Sequence, residues 1–129
     1  MSTDLKYLAF TAILTASLWI PYIACQVMTN GNLTPKNYID PTPRPVPLWG
    51  MRANRAHLNA VETFAPFAAL VIVIHLAGKA NAMTAFWAMF FFWARLAHAI
   101  VYLAGVPYLR TLIYTLSYVA VVGLFWQLL

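Results

Sequence analysis

The sequence predicts an all-α membrane protein, a bundle of four transmembrane helices. Of the 129 residues, 63% are hydrophobic and only 9% are charged, whereas about a quarter of the residues in a soluble domain are charged. The hydrophobic residues form four long runs, and at about 20 residues for each membrane crossing these runs occupy most of the chain. We therefore expect a single membrane domain over residues 1–129.

The first helix is predicted over about residues 4–28. Its apolar part is long enough to cross a bilayer, so we expect it to be retained rather than removed as a signal peptide. Pro21 lacks a backbone N–H and predicts a kink, which membrane helices tolerate. Residues 29–47 are rich in proline and turn-forming residues, which indicates a loop with polyproline-like stretches.

Three further helices are predicted over about residues 48–78, 82–104 and 108–129. The first of these contains Pro66, which predicts a second kink. Pro107 directly precedes the last helix, and proline favours such positions because a helix start does not need its N–H. No internal repeat is present.

A polar stripe runs along the beginning of the second predicted helix, in the segment RANRAHLNAVE. It comprises Arg52, Arg55, Asn59 and Glu62. At about 100° for each residue, these side chains lie within roughly 80° of one another. On the third helix Arg95, His98 and Tyr102 share a face within roughly 60°. Ionisable groups inside a membrane usually face a bundle interior or a wet cavity, so both faces are functional candidates.

The distribution of basic residues predicts the orientation of the helices. The side that bears the connections from helix 1 to 2 and from helix 3 to 4 carries more Lys and Arg than the opposite side. The positive-inside rule places this side in the cytosol and both termini on the opposite side. In this topology helix 2 begins, helix 3 ends and helix 4 begins in one leaflet, so their polar residues converge.

The converging charges are mostly positive. Four arginines, Arg52, Arg55, Arg95 and Arg110, face one acid, Glu62. We therefore expect a small anionic ligand that also carries a cationic group for Glu62.

Structural explanations exist for single residues. Arg52 can extend to lipid headgroups, and Glu62 can pair with Arg55 or Arg95 as an interhelical tie. His57 lies about 140° from Arg52 around the helix, so it is either a structural donor or a ligand contact. The aromatic residues of the last helix, including Tyr114, are typical of packing and of the membrane interface.

Several classes of partner are disfavoured. The net charge is +5, but the same four arginines lie in or beside apolar segments, which argues against a nucleic-acid surface. The single cysteine, Cys25, excludes an intrachain disulfide and is typical of inert packing. No His and Cys residues have metal-ligand spacing, so no metal site is predicted.

The segments RANRAHLNAVE and RLAHAIVY, followed by Arg110, resemble the family of membrane-associated proteins in eicosanoid and glutathione metabolism (MAPEG). The resemblance covers nearly the whole chain. It implies a homotrimer with glutathione, as co-substrate, bound between neighbouring subunits and open to the cytosolic side. The implied glutathione contacts are Arg55, Asn59, Glu62, His98, Tyr102 and Arg110, with Arg95 and His57 in supporting positions. Arg110 and Tyr102 are the implied catalytic residues, with Arg110 beside the thiolate, and Thr111 adds a hydroxyl donor.

The chain departs from this family pattern at two places. The resemblance predicts an arginine near the end of the first helix, where this sequence offers only Gln26 or Asn30. The link from Tyr102 to Arg110 also differs in length by about one residue.

Three functions are compatible with these observations. The first is a membrane-bound glutathione transferase or peroxidase that acts in detoxification on lipophilic electrophiles or hydroperoxides. The second is a non-catalytic member of the same fold that binds a lipid or a protein. The third is a small proton-coupled exporter of lipophilic cations, which needs an uncompensated membrane carboxylate, whereas Glu62 is outnumbered by arginine.

Overall fold

A computed structural model describes residues 1–129 and contains six α-helices. They are α1 (Thr3–Ser17), α2 (Trp19–Asn30), α3 (Pro35–Ile39), α4 (Leu48–Leu76), α5 (Ala82–Ala104) and α6 (Leu109–Trp126). No residue lies in a β-strand. Four segments are long and apolar enough to cross a membrane: α1 with α2, α4, α5 and α6. The predicted fold class, an all-α bundle with four spans, is confirmed.

The first span is broken, where the sequence predicts one kinked helix over 4–28. The break lies at Leu18, between α1 and α2. Pro21 has no N–H, so the carbonyl group of Ser17, four residues earlier, cannot make its helical hydrogen bond. Nearby, the N–H of Leu18 bonds to the carbonyl oxygen of Thr15, three residues earlier, at 3.4 Å. The helical hydrogen bonding is therefore interrupted at Leu18, within one span of 28 residues over Thr3–Asn30.

The predicted loop 29–47 contains the short helix α3, and α2 extends to Asn30. Two local signals explain α3. Pro35 occupies its first turn, and the side chain of Thr34 accepts a hydrogen bond from the N–H of Asn37 at its N-terminus. Pro47 has φ −63° and ψ 166°, so the end of the loop is extended as predicted.

The remaining helices lie near their predicted bounds. α4 continues through Pro66 and ends at Leu76, because the chain turns at Gly78 with a φ of 67°. The bounds of α5 coincide with the predicted 82–104, and the side chains of Asn81 and Thr84 form a capping box at its start. α6 is shorter than predicted at both ends.

The helix α5 lies at the centre of the bundle. It packs against α1, α4 and α6, and α4 also packs against α1, α2 and α6. Seven buried residues form the hydrophobic core: Phe67, Val71, Ile74, Ala88, Phe91, Ala120 and Leu124. The rings of Phe67 and Phe91 are stacked with centroids 4.0 Å apart. Of these seven residues, the three on α4 follow Pro66, whereas the buried residues of α4 before Pro66 are small: Gly50, Ala53, Ala56 and Ala60.

The outer surface of the bundle is largely apolar. Only 22 of the 129 residues are buried, and large hydrophobic side chains such as Ile13, Trp93 and Ile100 are more than half exposed. A surface of this kind is stable against lipid or further protein rather than against water. The chain is therefore an integral, multi-pass membrane protein.

A buried carboxylate ties three helices together at the end where α4 finishes and α5 begins. Asp4 of α1 is 2% exposed. Its Oδ2 lies 3.0 Å from Nε2 of His75 on α4 and accepts a hydrogen bond from Oγ1 of Thr84 on α5 at 3.3 Å. This contact fixes the bundle at the end opposite the polar residues.

Candidate functional site

The polar residues of three helices meet where α4 begins, α5 ends and α6 begins; we call this region the polar end. A cavity of about 190 Å³ opens there between the three helices. It is lined by Asn59, His98, Tyr102, Arg110, Thr111 and Tyr114. Residues of both predicted polar faces and the first turns of α6 thus border one cavity, which we call the central cavity.

Arg110 lies over the aromatic ring of Tyr102. Its Cζ is 4.7 Å from the ring centroid, a cation–π distance. Arg110 belongs to the first turn of α6, where the helix dipole adds positive potential. Its guanidinium group is exposed and donates no hydrogen bond to the protein. The donors of Arg110 are therefore free to bind an anion in the central cavity.

Arg95 is the buried cation of the site. It is 3% exposed, and its Nη2 donates a hydrogen bond to Oδ1 of Asn59, which joins α5 to α4. Its Nε and Nη1, together with Nδ1 of His98, are buried without a hydrogen-bond partner in the chain. Most buried polar groups in proteins are paired, and an unpaired one is costly. The two unpaired nitrogens of Arg95 are donors, so a hydrogen-bond acceptor beside them would be stabilised.

Glu62 forms no ion pair. The interhelical tie to Arg55 or Arg95 is not formed, since the chain's one ion pair joins Asp4 and His75. Glu62 instead borders an apolar cavity of about 260 Å³ between α4, α5 and α6. Tyr114 lines this apolar cavity and the central cavity alike, so the two are neighbours. The carboxylate of Glu62 is therefore available to a ligand cation.

Arg52 has a structural role that differs from both sequence-based explanations, contact with lipid headgroups and binding of an anionic ligand. Its Nε donates a hydrogen bond to the carbonyl oxygen of Leu103 at 3.1 Å. Its guanidinium group also lies against Gly105, where an added Cβ would be 3.1 Å from Cζ. A cation at this place satisfies a free carbonyl group at the C-terminus of α5 and complements the helix dipole. Arg52 thus caps a neighbouring helix.

Two other predicted residues lie outside the central cavity. Arg55 borders a separate cavity beside the proline-rich loop, together with Arg44. His57 is half-buried, makes no side-chain hydrogen bond within the chain and lines none of the cavities. Its position agrees with its angle of about 140° from Arg52 around the helix.

Tyr114 and Arg44 are among the cavity-lining residues that sequence reasoning missed. Tyr114 is attributed to packing by its aromatic neighbours, yet it follows Arg110 by four residues, one helical turn, and that spacing is a usable signal. Arg44 lies in the loop, where no periodicity predicts the direction of a side chain.

The chain matches the family model described as MAPEG family over residues 5–129. The matched range includes α4, α5 and α6 with all the residues of the central cavity. Comparisons with curated proteins and with solved structures found no match.

Proposed function

The chain belongs to the MAPEG family, whose members include glutathione transferases, and from this premise we propose that it is a membrane-bound glutathione transferase with glutathione-dependent peroxidase activity. The observation that carries the proposal is Arg110, which lies 4.7 Å over the ring of Tyr102 with its donors free, at a cavity beside a buried arginine.

The groups of the polar end fit the chemistry of glutathione. Glutathione has two carboxylates, one ammonium group and a thiol. Unpaired donors on Arg95 and Arg110 suit its anionic groups, and the unpaired Glu62 suits its ammonium group. Asn59 and His98 add neutral hydrogen-bonding groups in the same cavity.

The residues around the sulfur would increase its reactivity. A free thiol has a pKa of about 8.5, so only a few per cent is ionised at neutral pH. The cation of Arg110 and the N-terminus of α6 stabilise a thiolate beside them. The hydroxyl groups of Tyr102 and Thr111 can donate hydrogen bonds to it. We therefore propose Arg110 and Tyr102 as the catalytic residues.

Two reactions follow from an activated thiolate. It attacks an electrophilic carbon, so a carbon–sulfur bond forms and the leaving group departs with its electron pair. With a hydroperoxide it attacks oxygen and breaks the O–O bond, which gives an alcohol and a sulfenic acid. A second glutathione converts the sulfenic acid to the disulfide and water. The apolar cavity that shares Tyr114 with the central cavity supports a lipophilic second substrate.

We further propose that the protein is a homotrimer with its glutathione sites facing the cytosol and its termini on the opposite side. The exposed apolar surface supports contact with further subunits as well as lipid. The excess of basic residues at the polar end supports the orientation. In the proposed trimer, the imidazole of His57, which has no hydrogen-bond partner within its own chain, is available to the site of a neighbouring subunit.

A non-catalytic, ligand-binding role is the second candidate, and one observation favours it. The polar groups at the end of the first span are engaged within the chain. Gln26 donates to the hydroxyl oxygen of Tyr22 at 2.8 Å, and Asn30 donates to the carbonyl oxygen of Pro45 at 2.9 Å. Neither residue is free to replace the arginine that the family resemblance predicts there.

The test is a calorimetric titration of the detergent-purified protein with glutathione, with the ultraviolet absorption of the thiolate followed in parallel. Saturable binding with a thiolate signal, lost in Arg110→Ala, is the expected result. Binding without a thiolate signal in the wild type would support the non-catalytic role instead. No binding at millimolar glutathione would overturn the proposal.

A further inference from the structure

A second cavity with two arginines lies between α2, the proline-rich loop and the first turns of α4. Its volume is about 410 Å³, and its polar lining consists of Tyr22, Arg44, Asn54 and Arg55. We call it the loop cavity. It borders α4 at Asn54 and Arg55, whereas the central cavity borders α4 at Asn59.

The two guanidinium groups of the loop cavity have no acidic partner. Arg44 donates one hydrogen bond, from Nη1 to the carbonyl oxygen of Gly31 at 3.1 Å, and Arg55 donates none. Asp40 shares a neighbouring cavity with Arg44 but forms no ion pair with it. The N–H of Thr42 donates to the Asp40 carboxylate and holds its pKa below the usual range. Two like charges bordering one cavity repel each other, and a bound anion relieves that repulsion.

The loop holds Arg44 at a fixed place. Besides the bond from Arg44 to Gly31, the side chain of Asn30 donates to the carbonyl oxygen of Pro45 at 2.9 Å. Adjacent residues of the loop are thus attached to adjacent residues at the end of α2. Arg44 supplies a cation at the end of the first span, where α2 itself contains no basic residue in its last turn.

The spacing along α4 relates the loop cavity to the central cavity. Arg55, Asn59 and Glu62 share one face, and a helix rises about 1.5 Å for each residue. Asn59 is therefore about 6 Å, and Glu62 about 10 Å, from Arg55 along the helix axis. An extended tripeptide spans roughly 10 Å, at 3.3–3.6 Å for each residue. The length of one extended glutathione molecule therefore matches the axial separation of Glu62 and Arg55.

We propose that Arg44 and Arg55 together bind the glycine carboxylate of glutathione, which makes Arg44 a specificity-determining residue. The proposal rests on the function proposed above. The ammonium group then faces Glu62, at the other end of the ligand, and the cysteine lies near Asn59, where Arg110 borders the same cavity. Arginine suits this task because its planar fork matches a carboxylate.

The test compares two ligands on three forms of the full-length protein in neutral detergent. The ligands are glutathione and its analogue amidated at the glycine carboxylate; the proteins are the wild type, Arg44→Gln and Lys36→Gln. Lys36 is the matched control, since it is an exposed cation of the same loop region that borders none of the cavities. We expect the wild type to bind the amide about tenfold more weakly than glutathione. Arg44→Gln should bind glutathione about tenfold more weakly and the amide unchanged, and Lys36→Gln should match the wild type.

Other results would overturn the proposal. Equal weakening of both ligands by Arg44→Gln would mean that Arg44 only supports the loop, and unchanged affinity for both would mean that it does not contact the ligand. No glutathione binding by the wild type would overturn the proposed function as well. A parallel measurement with added phosphatidylglycerol tests whether the loop cavity binds a lipid headgroup instead of glutathione. Lipid retained by the wild type and lost from Arg44→Gln, with glutathione affinity unchanged, would assign the loop cavity to lipid.

Discussion

Arg52 donates a hydrogen bond from Nε to the carbonyl oxygen of Leu103, 3.1 Å away, and so joins the beginning of α4 to the end of α5. Its guanidinium group packs against Gly105, which adopts a φ of 75° at the C-terminus of α5. The two helices that carry the polar faces are therefore aligned by an arginine of the stripe itself. Of the four arginines that the sequence places near Glu62, this one is bound to the protein backbone.

Replacing Arg52 with Gln should reduce stability more than ligand binding. The substitution removes a charge-assisted hydrogen bond and a cation at a helix C-terminus, which together contribute about 1–3 kcal/mol. Thermal unfolding in detergent should show a lower Tm, while glutathione affinity measured below that Tm stays within about twofold. An unchanged Tm with lost affinity would instead make Arg52 a ligand contact.

Gly123 permits close packing of Trp87 on α6, so Gly123→Ala should destabilise the bundle. A Cβ at position 123 would lie 2.4 Å from Cε2 of Trp87, and the indole would have to move. Overpacking of this kind costs about 1–3 kcal/mol. Thermal unfolding of Gly123→Ala, of Trp87→Leu and of the double variant forms a cycle. The alanine should cost little in the Trp87→Leu background, and an equal cost in both backgrounds would contradict the contact.

The observed bundle shows how far sequence reasoning reaches. The apolar run of α5, bounded by Asn81 and Gly105, gives its bounds directly, since both residues carry strong terminal signals. Pro21 and Pro66 carry the same local signal but act differently: α1 ends before Pro21, whereas α4 continues through Pro66. Each proline removes one backbone N–H, so the local signal alone does not distinguish an interrupted helix from a continuous one.

The same limit applies to the polar residues. A helical wheel gives the direction of a side chain around its own helix. It does not give the position of the neighbouring helix along the common axis, which decides what that side chain contacts. Arg52 and Arg95 look alike on their wheels, yet Arg52 reaches a backbone carbonyl group and Arg95 is buried beside Asn59. Arg44 has no periodic pattern to predict its direction, because its position depends on hydrogen bonds between the loop and α2.

The Asp4 contact should be needed for stability and not for ligand binding. Asp4→Ala removes the contacts of Asp4 with His75 and Thr84, although His75 keeps its hydrogen bond with Ser2 and Thr84 keeps its bond to the carbonyl oxygen of Asn81, so the loss should be about 1 kcal/mol. We expect a lower Tm and normal glutathione affinity, because the contact lies at the end opposite the central cavity. A Tm equal to that of the wild type would show that the contact is dispensable.

Glu62→Gln should weaken ligand binding and leave stability unchanged, the opposite of the effect expected for Asp4→Ala. Glu62 has no ionic partner, so its neutral isostere should leave Tm within about one degree. Glutathione affinity should fall by about tenfold, because the ammonium group loses a charge-assisted contact. A large fall in Tm would indicate a structural carboxylate. Proton-driven uptake of a lipophilic cation by wild-type vesicles, abolished in Glu62→Gln, would support the exporter hypothesis.

Arg110→Ala should change the pH dependence of turnover more than the affinity for glutathione. With Arg110 in place, the thiolate is stabilised and the pKa of the bound thiol lies below its ordinary value of about 8.5. Without it the pKa rises again, so a smaller fraction of bound glutathione is ionised at neutral pH. The rate with a lipophilic electrophile should then fall at pH 7 and recover as the pH approaches 9.

The measurement is a pH profile of kcat and of thiolate absorption for the wild type, Arg110→Ala and Arg110→Lys. Lysine keeps the positive charge and loses the planar fork, so its profile should lie closer to that of the wild type. Affinity should change by less than kcat, because Arg95 and Glu62 still provide charged groups for the ligand. Equal losses of affinity and kcat, with no shift of the profile, would show that Arg110 binds glutathione without activating its sulfur.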